Sequence, residues 1–156
     1  MPFPPPEYFS SGHNRLIHEE TCYDRITLRE EHKRYLSNLT DEQRNVYDTI
    51  INAVESNSGG VFFVYGYGGT GKTFIWKTLS AFLRCNGDIV LNVASSGISS
   101  LLLPGGRTIH SQFKIPINPN EDSMCNIKQG NPLAKLIIRC ELIIWDEAPM
   151  MHIYCF

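Results

Sequence analysis

The stretch VFFVYGYGGTGKT, Val61 to Thr73, constrains this chain more than any other. Val61, Phe62, Phe63, Val64 and Tyr65 are consecutive apolar residues, the pattern of a strand buried on both faces of a parallel sheet. Gly66-Tyr67-Gly68-Gly69-Thr70-Gly71-Lys72-Thr73 follows and fits G-x-x-x-x-G-K-[ST] at every fixed position. Glycines at such a turn let the backbone curl so that successive N–H groups point inward, a nest for phosphate oxygens. Lys72 is placed to reach the β- and γ-phosphates of a nucleotide, and the Thr73 hydroxyl to bind Mg²⁺. The helix expected to open here adds its positive end to the same site. A Gly-rich turn after a strand is common, but the complete eight-residue pattern in strand–loop–helix order points to nucleotide binding. It does not say which reaction follows.

A second cluster lies far downstream. Leu142-Ile143-Ile144-Trp145 reads as a buried strand, ending in Asp146-Glu147. A carboxylate at the carboxyl end of a parallel strand lies on the ligand side of an open α/β sheet. Taken alone, Asp146-Glu147 could be a solvated acidic turn. Behind a complete phosphate loop, Asp146 is expected to share the Mg²⁺ with Thr73, and Glu147 to orient or deprotonate a water. A paired Asp-Glu favours a machine that hydrolyses nucleoside triphosphates over a small-molecule kinase.

The rest of the chain supplies an α/β framework. Its 156 residues suit one domain of ordinary size, and 42% hydrophobic with 19% charged residues is the balance of a folded, soluble protein. No apolar run is long enough to span a bilayer, so no membrane partner is expected. Five scattered cysteines without a CxxC pair suggest reduced thiols and an intracellular setting. His13, His18 and Cys22 could be drawn as a metal site, but a fourth ligand at suitable spacing is missing. Net charge is −2, so nucleic acid, if bound, needs a local groove.

Along the chain, residues 1 to 12 are Pro- and Ser-rich and expected to be disordered or loosely draped. Asn14 to Tyr35 reads as an imperfect helical stripe with a solvated, charged face. Residues 1–37 are taken as an N-terminal extension and 38–156 as the nucleotide-binding unit. Thr40 should cap a helix with Val46, Tyr47, Ile50, Ile51 and Val54 on one face. Thr40-x-x-Gln43 has two readings: a capping box, which spacing favours, or a Gln43 amide free to read an adenine edge. Thr73 to Cys85 should be a helix stopped by Asn86-Gly87, and Ile89 to Ala94 a second buried strand. Gly97 should open a short apolar helix through Leu103, followed by a polar cluster, Arg107 to Ser111. Residues 115–131 form a long loop, and Asn131-Pro132 starts a helix that runs to about Arg139.

Several stretches together resemble one family. LTDEQRNVYDTI (Leu39–Ile50), the GYGGTGKT loop, ASSGISSLLLPGGRTIHSQFKIPI (Ala94–Ile117) and LIIWDEAPM (Leu142–Met150) look like the Pif-type DNA helicases of superfamily one, especially copies carried by Helitron-type transposons in plants. The resemblance covers nearly the whole chain from about Asn14. It implies a RecA-like lobe and an ATP-driven helicase moving five-prime to three-prime on single-stranded DNA. It also implies roles in DNA repair, recombination and telomere maintenance, and a nuclear setting. By this resemblance Gln43 is the adenine reader, Gly66, Gly68, Gly69, Thr70, Gly71, Lys72 and Thr73 hold the nucleotide, and Thr73 and Asp146 hold Mg²⁺. Lys72 and Glu147 are the catalytic pair, and Ser96, Gly97, Thr108 and His110 are candidates for touching DNA. Capping and turn formation explain those last four equally well. The family continues with a sensor motif and a second motor lobe. The chain is therefore expected to hold an incomplete first lobe, able to bind MgATP but not to unwind DNA; the alternative is a non-catalytic MgATP-binding remnant.

Overall fold

The computed structural model describes residues 14–155. The expectations for residues 1–12 and for His13 lie outside that range. Elements follow in the order α1 (Arg15–Thr21), α2 (Arg25–Ser37), α3 (Asp41–Glu55), α4 (Lys72–Asn86), β1 (Ile89–Ala94), α5 (Gly97–Leu102), β2 (Arg107–Thr108), α6 (Ile109–Phe113), α7 (Pro132–Ile138) and β3 (Cys140–Asp146), then two short 3-10 turns, Ala148–Met150 and Ile153–Cys155.

The sheet is parallel, with strand order β2-β1-β3. β1 is central and buried at every residue, which its run Ile-Val-Leu-Asn-Val-Ala dictates: a strand covered on both faces needs apolar side chains in both directions. Val90 and Ala94 join Leu79, Leu83 and Ile75 of α4, and Tyr47, Ile50 and Ile51 of α3, in one core. Ile89 and Leu91 pack instead with Leu133 and Leu136 of α7, against which Leu16 and Ile17 of α1 close. The sheet is therefore the middle layer between two helical layers, and the α/β class with flanking helices holds.

Local chemistry sets most boundaries. Asn131 caps α7 by accepting from the backbone N–H groups of Leu133 and Ala134, with Pro132 in the first turn. Gly87 ends α4 in the left-handed region at φ 99°, with its N–H on the Arg84 carbonyl and the Asp88 N–H on the Leu83 carbonyl, a Schellman closure. A side chain at Gly87 would also run into the Arg25 guanidinium.

Two expectations are corrected. Val61–Tyr65 is not a strand: it carries no ladder pairing, and Val61 is 100% exposed, Phe63 73% and Tyr65 77%. Apolar content alone does not make a strand, because each backbone N–H and C=O needs a neighbour to pair with. β3 closes the sheet at its outer edge, where Ile143 is 45% exposed. Only Val64 of the run packs against the core.

The charged stripe from Asn14 to Tyr35 is two helices. Asp24 restarts the chain by capping α2, accepting from the N–H groups of Ile26 and Thr27. Its charges are not all solvated. Glu20 is buried and meets Arg84 of α4 at 3.4 Å, while the Arg84 guanidinium lies 4.5 Å from the Tyr23 ring centre and donates to the carbonyls of Val90 and Pro104. Burial raises the Glu20 carboxyl above its ordinary range, and Arg84 pulls it partly back. α2 also lies along α4, with His32 against Phe82 and Tyr35 edge-on to Phe74.

The five cysteines are free: Cys85 is in the core, Cys140 and Cys155 are half-buried, and Cys22 and Cys125 are exposed. Burial pushes the Cys140 thiol up to about 11.

Candidate nucleotide site

The loop takes its shape from its glycines. Gly69 and Gly71 sit at φ 83° and 80°, a left-handed backbone that side chains resist. Gly66 is constrained differently: a Cβ there would lie 2.7 Å from the Thr70 hydroxyl and 3.7 Å from the Lys72 ammonium. Thr70 folds back to donate to the Tyr67 carbonyl, and Lys72 donates to the carbonyls of Gly66 at 2.5 Å and Tyr67 at 3.0 Å. Gly68 and Gly69 have open space around them. Gly71 starts α4, so Lys72 and Thr73 stand in its first turn, with no side-chain cap on the N–H groups there. Those unpaired amides and the helix dipole favour an anion at this end, and Lys72 adds the cation.

The carboxylates come from β3. Ala94 of β1 pairs with Asp146 on one side and Thr108 on the other, so the carboxyl ends of all three strands lie level. Asp146 is braced by α4: the Trp76 indole N–H donates to its Oδ1 at 3.2 Å. Thr73 and Trp76 lie on successive turns of that helix, which ties the loop's helix to the end of β3. Thr73 and Asp146 are hard oxygen donors of the kind Mg²⁺ takes. No group of three or more His, Cys, Asp or Glu able to hold a metal occurs among the described residues.

Glu147 adopts φ 57°, a left-handed backbone uncommon for a side-chain-bearing residue. The turn is pinned from β1's side, where the Ser95 hydroxyl donates to the Glu147 carbonyl at 2.7 Å and the Ser95 N–H to the Asp146 carbonyl. The Glu147 carboxylate points the same way, with Oε2 accepting from Ser99 Oγ at 2.5 Å and from Ser96 Oγ at 3.4 Å.

Gln43 does two things at once. The capping box is formed, since the Thr40 N–H donates to Gln43 Oε1 and the Gln43 N–H to Thr40 Oγ1. The amide nitrogen then reaches the loop, donating to the Thr70 carbonyl at 3.1 Å. A Cβ on Gly71 would collide with that same nitrogen.

The four residues considered for DNA contact do not form one cluster of free groups. Ser96 caps α5 by accepting from the Ser99 N–H, and Thr108 caps α6 by accepting from the Ser111 N–H. His110 Nδ1 is paired with the Ile115 carbonyl at 3.2 Å, and Gly97 is the exposed first residue of α5. Two further residues at the site, Trp76 and Ser99, were not among the expected site residues. They lie 70 and 48 positions from their carboxylate partners, so only the fold brings them together.

A glycine-shaped loop opening a helix, with a carboxylate at the end of a parallel strand braced by that helix, defines a phosphate-loop α/β protein of the RecA-like kind. The PIF1-like helicase family profile matches residues 38–156, and the chain belongs to that family. It is also similar to the ATP-dependent DNA helicase PIF4 of Trypanosoma brucei brucei (strain 927/4 GUTat10.1), with 25% identity over 155 residues, covering 92% of this chain. The chain spans 17% of that relative's length. No described helix is long and apolar enough to cross a membrane.

Proposed function

We propose that this chain is the ATP-binding part of a DNA helicase. It binds ATP at the loop and hydrolyses it in the service of five-prime-to-three-prime movement on single-stranded DNA. One observation carries this reading: the left-handed glycines of the loop deliver Lys72 and Thr73 at the start of α4, and the same helix holds Asp146 through Trp76. In this reading Gly66, Gly68, Gly69, Thr70 and Gly71 wrap the phosphates, and Lys72 leaves the carbonyls of Gly66 and Tyr67 for the β- and γ-phosphates. Gln43 reads adenine from the end of α3. Thr73 and Asp146 hold Mg²⁺, which neutralises phosphate charge when bound. Glu147 takes a proton from the water that attacks the γ-phosphorus, as the bond to the β–γ bridging oxygen breaks.

Residues 38–156 form the nucleotide-binding unit in this proposal, and residues 1–37 an extension. Ser96, Gly97, Thr108 and His110 mark the side facing single-stranded DNA. Roles in DNA repair, recombination or telomere maintenance, and a nuclear location, follow from the family resemblance alone.

The test is calorimetry with MgATP. The chain should bind it, and Lys72→Ala should remove most of the affinity; equal binding by the two proteins would contradict the assignment. A strand-displacement assay on a tailed duplex then asks for movement. Unwinding of this kind requires two lobes that close and open around the nucleotide, so MgATP binding and strand displacement are scored separately.

A further inference from the structure

Glu147 is the residue the proposed reaction needs next to water, yet its side chain is engaged elsewhere. Among the described residues, its side-chain hydrogen bonds all come from the segment that follows β1, while its backbone carbonyl also accepts from the Met150 N–H. Ser99 donates to Oε2 at 2.5 Å, Ser96 to the same oxygen at 3.4 Å, and Ser95 to the backbone carbonyl. The loop from Gly66 to Gly71 contributes none. Ser96 and Ser99 are themselves bonded at 2.8 Å, so the two hydroxyls and the carboxylate form one small network. Ser99 is 7% exposed and Glu147 half-buried, and a carboxylate receiving a short hydroxyl bond is restrained by it.

We infer that Ser99 is a positioning residue that parks Glu147 against α5 in the nucleotide-free chain. Turnover then requires the carboxylate to leave that hydroxyl. The inference rests on the reading of Glu147 as the proton acceptor, and it adds a regulatory link to that site. α5 is a short, lightly covered helix: Ile98 is 80% exposed and Leu101 84%. Whatever displaces α5, on the side where Gly97 lies open, loosens the grip on Glu147. Coupling is reciprocal, so nucleotide that draws Glu147 away must loosen α5 to the same extent.

Two variants test this in the full chain. Ser99→Ala removes the donor while keeping a good helix former, and Ser99→Thr retains a hydroxyl. The first readout needs no hydrolysis: amide hydrogen exchange over residues 95–103, with and without a non-hydrolysable ATP analogue and Mg²⁺. In the wild-type chain the analogue should speed exchange in this segment. In Ser99→Ala exchange should be fast from the start and indifferent to the analogue, and Ser99→Thr should behave as wild type.

The second readout is steady-state hydrolysis. Loss of one such restraint should raise kcat by a few-fold to about tenfold, with KM for ATP unchanged. A Ser99→Ala protein with lower or equal kcat, or with nucleotide-dependent exchange intact, overturns the inference. A wild-type chain that shows no Lys72-dependent ATP binding overturns the nucleotide reading itself. The two failures are therefore distinguishable. If the wild-type chain binds but turns over too slowly to measure, the exchange comparison decides alone.

Discussion

The two ends of α4 are built on opposite plans. At its start, Lys72 and Thr73 follow a loop with Val61, Phe63, Tyr65 and Tyr67 exposed around it, and no side chain caps the helix. At its finish, Arg84 is 3% exposed and has four partners: the carbonyls of Val90 and Pro104, the Glu20 carboxylate and the Tyr23 ring. Gly87 closes the backbone behind it. The charges differ in sense as well. A cation in the last turn suits the helix dipole, whereas Lys72 at the first turn opposes it and is relieved when an anion arrives. In the proposed function one helix thus keeps stability at one end and ligand chemistry at the other, about 22 Å apart for its 15 residues.

If that division is real, substitutions at the two ends should move different observables. The largest effect belongs to Arg84→Ala, which removes the cation facing buried Glu20 and a donor to the Val90 and Pro104 carbonyls. It should cost about 3–5 kcal/mol, read as a lower denaturant midpoint. The same variant, while folded, should bind MgATP like the wild type; a large change in affinity would erase the division.

Lys72→Ala is the converse. Affinity for MgATP should fall roughly tenfold to a hundredfold, as expected for losing hydrogen bonds from a charged donor, while the melting temperature stays near that of the wild type. Comparable losses of stability in Lys72→Ala and Arg84→Ala would show that both ends brace the fold.

Gln43→Ala sharpens the comparison, because Gln43 belongs to a helix cap and to the loop at once. It should lower stability by about 1 kcal/mol and weaken ATP more than GTP. A stability loss with the ATP/GTP preference intact would leave Gln43 a cap and nothing more.

The smallest effect is a pH dependence near the buried end. Burial, with the Arg44 charge adding to it, lowers the His32 pKa below 6.5, so the folded chain keeps His32 neutral beside Tyr47 and Phe82. The unfolded chain takes up that proton first as pH falls through 6.5. His32 should therefore contribute a loss of stability on acidification below that value, down to its folded pKa. His32→Phe should flatten that part of a melting-temperature profile; an unchanged slope would assign it to other groups.

What could be read from the sequence was what short-range chemistry decides. The Thr40–Gln43 box, the Asn131-Pro132 start, the Gly87 stop and the glycine loop each depend on neighbours within a few residues. The expected β1 and β3 runs also became strands, because each found a partner along its length. Val61–Tyr65 is as apolar and carries no ladder pairing, so strand character there was a property of neighbours and not of the run. The charges of α1 looked solvated because periodicity cannot foresee a guanidinium arriving from α4 to meet Glu20. The place of Asp146 and Glu147 at a strand's end was legible. Their keepers, Trp76 and Ser99, were not, since nothing local marks a hydroxyl or an indole as facing a particular acid.

The uneven placement of the cysteines makes the chain easy to instrument. Thiolates, not thiols, react with alkylating probes, and a thiol held near 11 is almost wholly protonated at neutral pH. Cys140 is thereby shielded by chemistry and Cys85 by the core, while Cys22, at the end of α1, and Cys125, in the loop before α7, face solvent. A fluorophore pair attached at Cys22 and Cys125 would leave the residues of the glycine loop and of α5 chemically untouched.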